Sequence, residues 1–316
     1  MLSRTADSLY WMSRYLERTE HTARLMVNQL DTLIDQPLVD TQASWRRVLR
    51  SLRISFHPDE EIRAEEQAKA LLLDPEDENS LFSTVSVARE NARQVRTELS
   101  SELWQHLNRQ YLDLKSRRFR EVWAGDSIGF CVNVQDGIQL LRGVGLSTMT
   151  HGVGWRFMQM GLYLERAQLM TRLLDAYFGA LLAEGRAPRD AGWVYLLKMC
   201  NANEAFTRVH TATIRPDLIA EFLIFSEDFP RSIRYCVDRL HIELDLLCDG
   251  RGDRVTAVPQ RMAGRLRARL DYAAADEVAG HNVTSFLNRV HDDCRDLHNA
   301  IVDAFIAYDI EARARL

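Results

Sequence analysis

At 316 residues, with 46% hydrophobic and 27% charged side chains, the chain is long enough to bury a substantial core without disulfide or metal staples. Lys and Arg total 40 against 45 Asp and Glu, a formal charge of -5, so no global basic field draws it to nucleic acid or anionic lipid. Only 15 Gly and 7 Pro interrupt it, and 5 cysteines without a Cys-x-x-Cys pair exclude a disulfide framework or a cysteine-rich zinc site.

The opening MLSRTADSLYWMSRYLERTE carries charge throughout, unlike a secretion signal, so a cytoplasmic protein is expected. No run of about 18 uncharged apolar residues follows, which excludes a membrane span. Leu9, Met12, Leu16, Thr19, Ala23, Val27, Leu30 and Leu33 recur at steps of three and four, a long first helix that Pro37 ends. A helix around Trp45, Val48, Leu49 and Leu52 stops at His57-Pro58, a short acidic helix runs to Leu73, and 74–80 reads as loop. One long helix then carries Phe82, Val85, Arg89, Val95, Leu99 and Leu103 to Leu107 or beyond. The stretch 126–149 is apolar but punctuated by Gly and reads as helix. After His151-Gly152 a strongly apolar helix covers 154–182, a break follows at 185–188, and the next helix runs through Trp193, Leu196, Leu197 and Cys200. Pro216 and Pro230 suit first-turn positions of two further helices, where a missing N–H costs nothing. The run 248–259 reads as loop ahead of two terminal helices. The expectation is an all-α array of about ten helices.

The most informative pattern is an internal repeat. Tyr15-Leu16-Glu17-Arg18 recurs as Tyr163-Leu164-Glu165-Arg166, an offset of 148, which also carries Arg24 onto Arg172, Leu25 onto Leu173 and Trp45 onto Trp193. A weaker echo pairs 93–96 with 231–234 at an offset of 138, as if the second half had lost about ten residues. The chain therefore reads as two related halves, 1–150 and 151–316, packed as one pseudo-two-fold unit.

Helical geometry places Glu17 on a flank of the first stripe and Arg18 nearly opposite it. In the second copy, Glu165 and Arg166 share their surroundings with Leu162, Leu169, Met170 and Leu173. Charges in such a surface need partners on another helix, because an isolated buried ion is too costly. Two readings stay open. The motifs form a buried ion-pair lock, or they line a polar cleft together with Arg14, Glu90, Asn91 and Arg93, where arginine forks hold a carboxylate or phosphate.

Other chemistry is weaker. His291, Cys294 and His298 fall on one helix face and are the better metal candidate, but no Glu-x-x-His pair repeats with the halves as a di-iron bundle needs. His21, four residues after Glu17, corresponds to Leu169. Neither metal nor cofactor is expected. Cys131 and Ser127 lack any spacing that marks a nucleophile. The arginines of 261–270 alternate with Met262, Leu266 and Leu270 as on a solvated amphipathic helix.

The opening LSRTADSLYWMSRYLERTEHTARL, the segment SVARENARQVR (86–96) and GWRFMQMGLYLERAQLMTRLLD (154–175) together resemble the bacterial alpha-E family, and the similarity runs over the whole chain. One departure is Leu162, where the first copy has Arg14. The resemblance implies a setting: such proteins are encoded beside, or fused to, a circularly permuted ATP-grasp protein and accompanied by transglutaminase-like peptidases. It implies an accessory or substrate-handling component of a peptide- or amide-forming system. The alternatives are an enzyme in its own right acting on a peptide or amide, and a non-catalytic scaffold that docks the ligase. No Gly-rich phosphate loop is present, so nucleotide chemistry would fall to the partner.

Overall fold

The computed structural model describes residues 3–35, 40–57, 59, 61–183, 190–211, 213–248, 257–273, 275–278, 280 and 282–306. Pro37, Pro58, the break at 185–188 and 249–256 of the late loop lie outside the described residues, as does the side chain of Leu33. Among the described residues the chain forms fourteen α-helices and no strand. In the first half these are α1 (Ser3–Asp35), α2 (Thr41–Ser51), α3 (Ala64–Leu73), α4 (Leu81–Gln94), α5 (Ser101–Ser116), α6 (Phe119–Ala124) and α7 (Ser127–Thr148). The second half holds α8 (Val153–Ala183), α9 (Asp190–Met199), α10 (Asn203–His210), α11 (Pro216–Phe225), α12 (Ile233–Cys248), α13 (Ala257–Asp271) and α14 (Asn282–Ile301). A 3-10 turn at Ala275–Val278 precedes α14, and a π-helical turn at Val302–Ile306 follows it.

Local chemistry sets the boundaries. Asp40, Ser80, Ser100 and Asp126 cap α2, α4, α5 and α7, their side-chain oxygens accepting from Ala43 N at 3.0 Å, Ser83 N at 3.0 Å, Leu103 N at 3.2 Å and Gly129 N at 2.7 Å. The single helix expected over 81–107 is two, because Ser100 offers the backbone its hydroxyl in place of another helical turn. Such short capped helices raise the number above the ten expected. Pro216 occupies the first turn of α11. Pro230 does not open α12; it lies two residues ahead of Ser232, whose hydroxyl accepts from Tyr235 N at 3.0 Å.

The two motif helices, α1 and α8, pack against each other at the centre; α4 and α7 flank α1, while α12 and α14 flank α8. Outside them α5 bridges α4 and α7, and α13 bridges α12 and α14. One continuous apolar core runs from Ala6 to Ile306. The crossing of α1 and α8 is set by Gly161, where a Cβ would come within 2.3 Å of the Tyr10 carbonyl oxygen and 3.3 Å of Ser13 Cβ. Only glycine lets the two backbones approach so closely.

Matching local details recur along the chain. Both α2 and α9 end in the same six-to-one turn, Ile54 N to Leu49 O at 2.9 Å and Ala202 N to Leu197 O at 2.8 Å. The left-handed residues of those turns, Arg53 at φ 59 and Asn201 at φ 50, are 148 apart. Ser80 Oγ donates to Asp74 O at 2.5 Å and Ser232 Oγ to Ser226 O at 2.5 Å, now at an offset of 152. Residues 93–96 lie at the end of α4 and 231–234 at the start of α12, so the two stretches sit at different places on their helices. Among the described residues no helix is long and apolar enough to cross a membrane.

Candidate functional site

The two Glu-Arg motifs exchange partners across the α1–α8 crossing. Glu165 of α8 accepts from Arg18 Nε at 2.5 Å on one oxygen and from Arg14 Nε at 2.5 Å on the other. Glu17 of α1 is held in a fork by Arg166, with Nε at 2.8 Å and Nη2 at 3.0 Å. Arg142 of α7 also bonds Glu17, and Arg231, ahead of α12, approaches it at 3.6 Å. Both carboxylates are 1% exposed. The arrangement follows from helix spacing: Arg14 lies one turn before Arg18, so both reach the same acid, and Gly161 brings the α8 backbone close one turn before Glu165.

A ring of polar groups surrounds this exchange. Arg14 Nη2 donates to Gln168 Oε1 at 2.7 Å, and its Nη1 to His298 Nδ1 at 2.8 Å, where the Tyr10 hydroxyl also points at 2.9 Å. Arg166 Nη1 donates to the Pro230 carbonyl at 3.0 Å. Glu20, fully buried, binds Arg231 Nη2 at 2.7 Å and Arg24 Nε at 3.4 Å. Arg24 also donates to the Met199 carbonyl and, at 3.0 Å, to His21 Nδ1.

Burial alone would raise these acids, but the arginines more than offset it. Arg14 and Arg18 hold the Glu165 carboxyl at about 2. Glu17 is likewise lowered against its burial by Arg142 and Arg166, and Glu20 by Arg231 and Arg24. Burial, with Arg14 beside it, lowers His298 to about 4, so it stays neutral and accepts from Arg14. Every carboxylate is paired with arginine, Glu20 through its Oε1 alone, its buried Oε2 having no hydrogen-bond partner. Three acids (Glu17, Glu20, Glu165) face six guanidiniums (Arg14, Arg18, Arg24, Arg142, Arg166, Arg231), so none is left to act as a base.

The structure separates the other expected members from this network. Glu90 and Arg93 pair with each other at 2.6 Å on the open face of α4, 48% and 61% exposed, and Asn91 donates to its own helix at Val87 O, 2.9 Å. They line no cleft with Arg14. His291, Cys294 and His298 turn to different neighbours. His291 Nε2 accepts from Arg53 at 2.6 Å, His298 meets Arg14, and burial pushes the Cys294 thiol well up. Among the described residues no three His, Cys, Asp or Glu side chains converge as a metal site would need. The Cys131 thiol is buried and pushed up to about 12, unlike a nucleophile.

Sequence reasoning missed Glu20, Arg24, Gln168, Arg142 and Arg231 as partners. The 148-residue offset already contained a signal for three of them, since it carries Glu20 onto Gln168 and Arg24 onto Arg172. Arg142 and Arg231 come from elements outside the matching segments and left no such trace.

A cavity of about 280 Å³ adjoins the network between α1, α7 and α8, with Arg142 and Arg166 at one side and Trp155 and Tyr163 among its walls. Of the two motifs only Arg166 reaches it; Glu17, Arg18 and Glu165 do not line it.

A family model named Alpha-E, described as a predicted alpha-helical domain with a conserved ER motif, matches residues 1–306. The chain is similar to an uncharacterized protein of Mycobacterium bovis, 26% identical over 295 residues that cover 87% of this chain and 33% of the relative. Uncharacterized proteins from two strains of Mycobacterium tuberculosis match over the same share, at 26% and 25% identity. The chain thus spans about a third of the length of these relatives, 33% in each case. No solved structure matches.

Proposed function

The chain belongs to the Alpha-E family, and from that premise we propose that it is a helical accessory component of an ATP-grasp-linked system that forms peptide or amide bonds. In this reading the Glu-Arg network is the lock that sets the α1–α8 crossing, not a catalytic centre, and the two halves descend from one duplicated unit. The observation that carries it is the exchange itself: both motif carboxylates are 1% exposed, and each oxygen is taken by an arginine of another helix. A carboxylate so engaged can neither take a proton nor touch a substrate. The Ser80 and Ser232 turns and the paired ends of α2 and α9 support the duplication. The ATP-grasp setting rests on the resemblance of the motif segments. The length of the mycobacterial relatives, of which this chain matches 33%, leaves room in them for further domains.

A second reading, an enzyme in its own right, is favoured by the cavity beside Arg142 and Arg166. It would use those arginines to hold an anionic substrate, with the lock as its rigid wall.

Docking falls to outer helices, because α1 and α8 are consumed by the core. Co-expression with a circularly permuted ATP-grasp protein from the same genome, followed by size-exclusion chromatography, tests the accessory role. One co-eluting species is expected, with an interface of at least about 1,000 Å². Two independent peaks, or ATP turnover by the isolated chain, would contradict it.

A further inference from the structure

A second, larger cavity of about 520 Å³ opens between the C-terminal end of α2, the second half of α8 and α14, away from the motif acids. Three arginines line it: Arg50 and Arg53 from α2 and its cap, and Arg172 from α8. Among the described residues none of the three forms an ion pair, and Arg172 Nε is buried without a hydrogen-bond partner. The one acid in the lining, Asp175, meets Asn288 at 3.3 Å instead. Room for an occupant comes from Ala176, Gly179 and Ala180, small residues on the same face of α8.

The matching positions of the first half show what is unusual here. On α1, Glu20 lies four residues before Arg24 and pairs with it at 3.4 Å. On α8 the corresponding pair is Gln168 and Arg172, so the acid that would answer the arginine is replaced by an amide, which accepts from Arg14. The left-handed turn residue at the end of α9 is Asn201, a type that tolerates φ 50; its counterpart ending α2 is Arg53 at φ 59. A long side chain is held in a strained cap, and its guanidinium is delivered to the cavity.

Arg53 is also fixed in place. Its Nη2 donates to His291 Nε2 at 2.6 Å, which leaves the ring proton on Nδ1, 3.1 Å from Thr171 Oγ1, and that hydroxyl donates to Gln168 O at 2.8 Å. Burial and the two arginines lower His291 to about 4, so the ring is neutral. The lining therefore carries three positive charges and one negative, an excess of two. A dianion neutralises it and a single carboxylate does not, and arginine forks match phosphate oxygens.

We propose that this pocket is a binding site for a phosphate-bearing small molecule, with the dianionic phosphate held by Arg53 and Arg172 and the rest of the ligand over the small-residue face of α8.

The test is isothermal titration of the full chain with inorganic phosphate and with phenyl phosphate, against acetate and succinate at equal ionic strength. Phosphate and phenyl phosphate should bind, acetate should not, and succinate should bind more weakly. R53Q and R172Q should each weaken phosphate binding at least about tenfold, as expected when a charged hydrogen-bond donor is lost. R50Q, exposed and remote from the core, gives a variant whose folding is not at risk and should weaken binding by a smaller factor. R63Q, outside the pocket, should leave it unchanged. No binding of phosphate at millimolar concentration, binding indifferent to R53Q, R172Q and R50Q, or succinate matching phosphate would each overturn the proposal.

Discussion

Glu20 with Arg24 on α1 and Gln168 with Arg172 on α8 stand 148 residues apart on the two central helices, yet they produce opposite environments. The first pair is closed: Arg24 is 1% exposed, with Glu20, His21 and the Met199 carbonyl around it. At the second the place of the acid is taken by Gln168, and Arg172 lines an arginine-rich cavity without an ion pair among the described residues. Both guanidiniums are pushed down to about 10, first by burial and then by a neighbouring arginine. What separates them is one carboxylate. With it an arginine becomes part of the frame; without it the arginine is left to answer a ligand.

Removing an acid from the closed side should cost most. Glu20→Ala leaves Arg24 buried without its acid and Arg231 with only Glu17 at 3.6 Å, and should destabilise by about 3–5 kcal/mol in urea unfolding. Gln168→Ala at the matching position removes a neutral acceptor and should cost only about 1–3 kcal/mol. Equal losses at the two positions would erase the distinction.

Gly161→Ala tests the crossing on which both sides depend. Its methyl would meet the Tyr10 carbonyl oxygen at 2.3 Å, a backbone atom that cannot rotate away. The expected cost is about 1–3 kcal/mol, from overpacking, with a lower thermal midpoint. A variant as stable as the parent would mean that α1 and α8 lie farther apart than described.

Gln168→Glu places an acid four residues before Arg172, as Glu20 stands before Arg24. Its carboxylate would sit buried against Arg14, within one helical turn of Arg172, and should lower phosphate affinity in the same titration. Unchanged phosphate affinity would detach Arg172 from the site.

The pH dependence spreads over two limbs. His291 and His298 sit at about 4 in the folded chain, below the ordinary 6.5. As pH falls below 6.5 the unfolded chain takes up protons that the folded one refuses, so stability declines until about 4. Glu165, at about 2 against an ordinary 4.5, extends the decline from 4.5 toward 2. Replacing both histidines with glutamine should make the upper limb shallower, leaving the share of buried His21, which is also held well below 6.5, and should spare the lower limb. Urea midpoints measured across that range would show it.

Much of the frame was legible in the sequence. The stripe from Leu9 to Leu30 and the apolar run of α8 gave the central helices, and the 148-residue offset located both motifs. It also matched Trp45 with Trp193, both fully buried. The break between α4 and α5 was not legible, because Val95, Leu99 and Leu103 keep helical spacing across it while a single serine cap decides the boundary. Glu90, Asn91 and Arg93 were misplaced for a related reason. The presence of charge in a helical segment says nothing of which face it takes, and α4 turns Glu90 and Arg93 to solvent. The partners Arg142 and Arg231 depend on how α7 and the start of α12 meet α1, a tertiary fact without local signal.

The central claim is that the exchanged Glu-Arg pairs lock the two motif helices together. A double-mutant cycle on Glu17 and Arg166, followed by urea unfolding, measures it most directly. Glu17→Ala should cost about 3–5 kcal/mol because Arg166 and Arg142 lose their acid. The double variant should cost less than the sum of the singles, by a coupling of about 0.5–3 kcal/mol. Additive effects, with both single variants unfolding at the parent's midpoint, would contradict the lock.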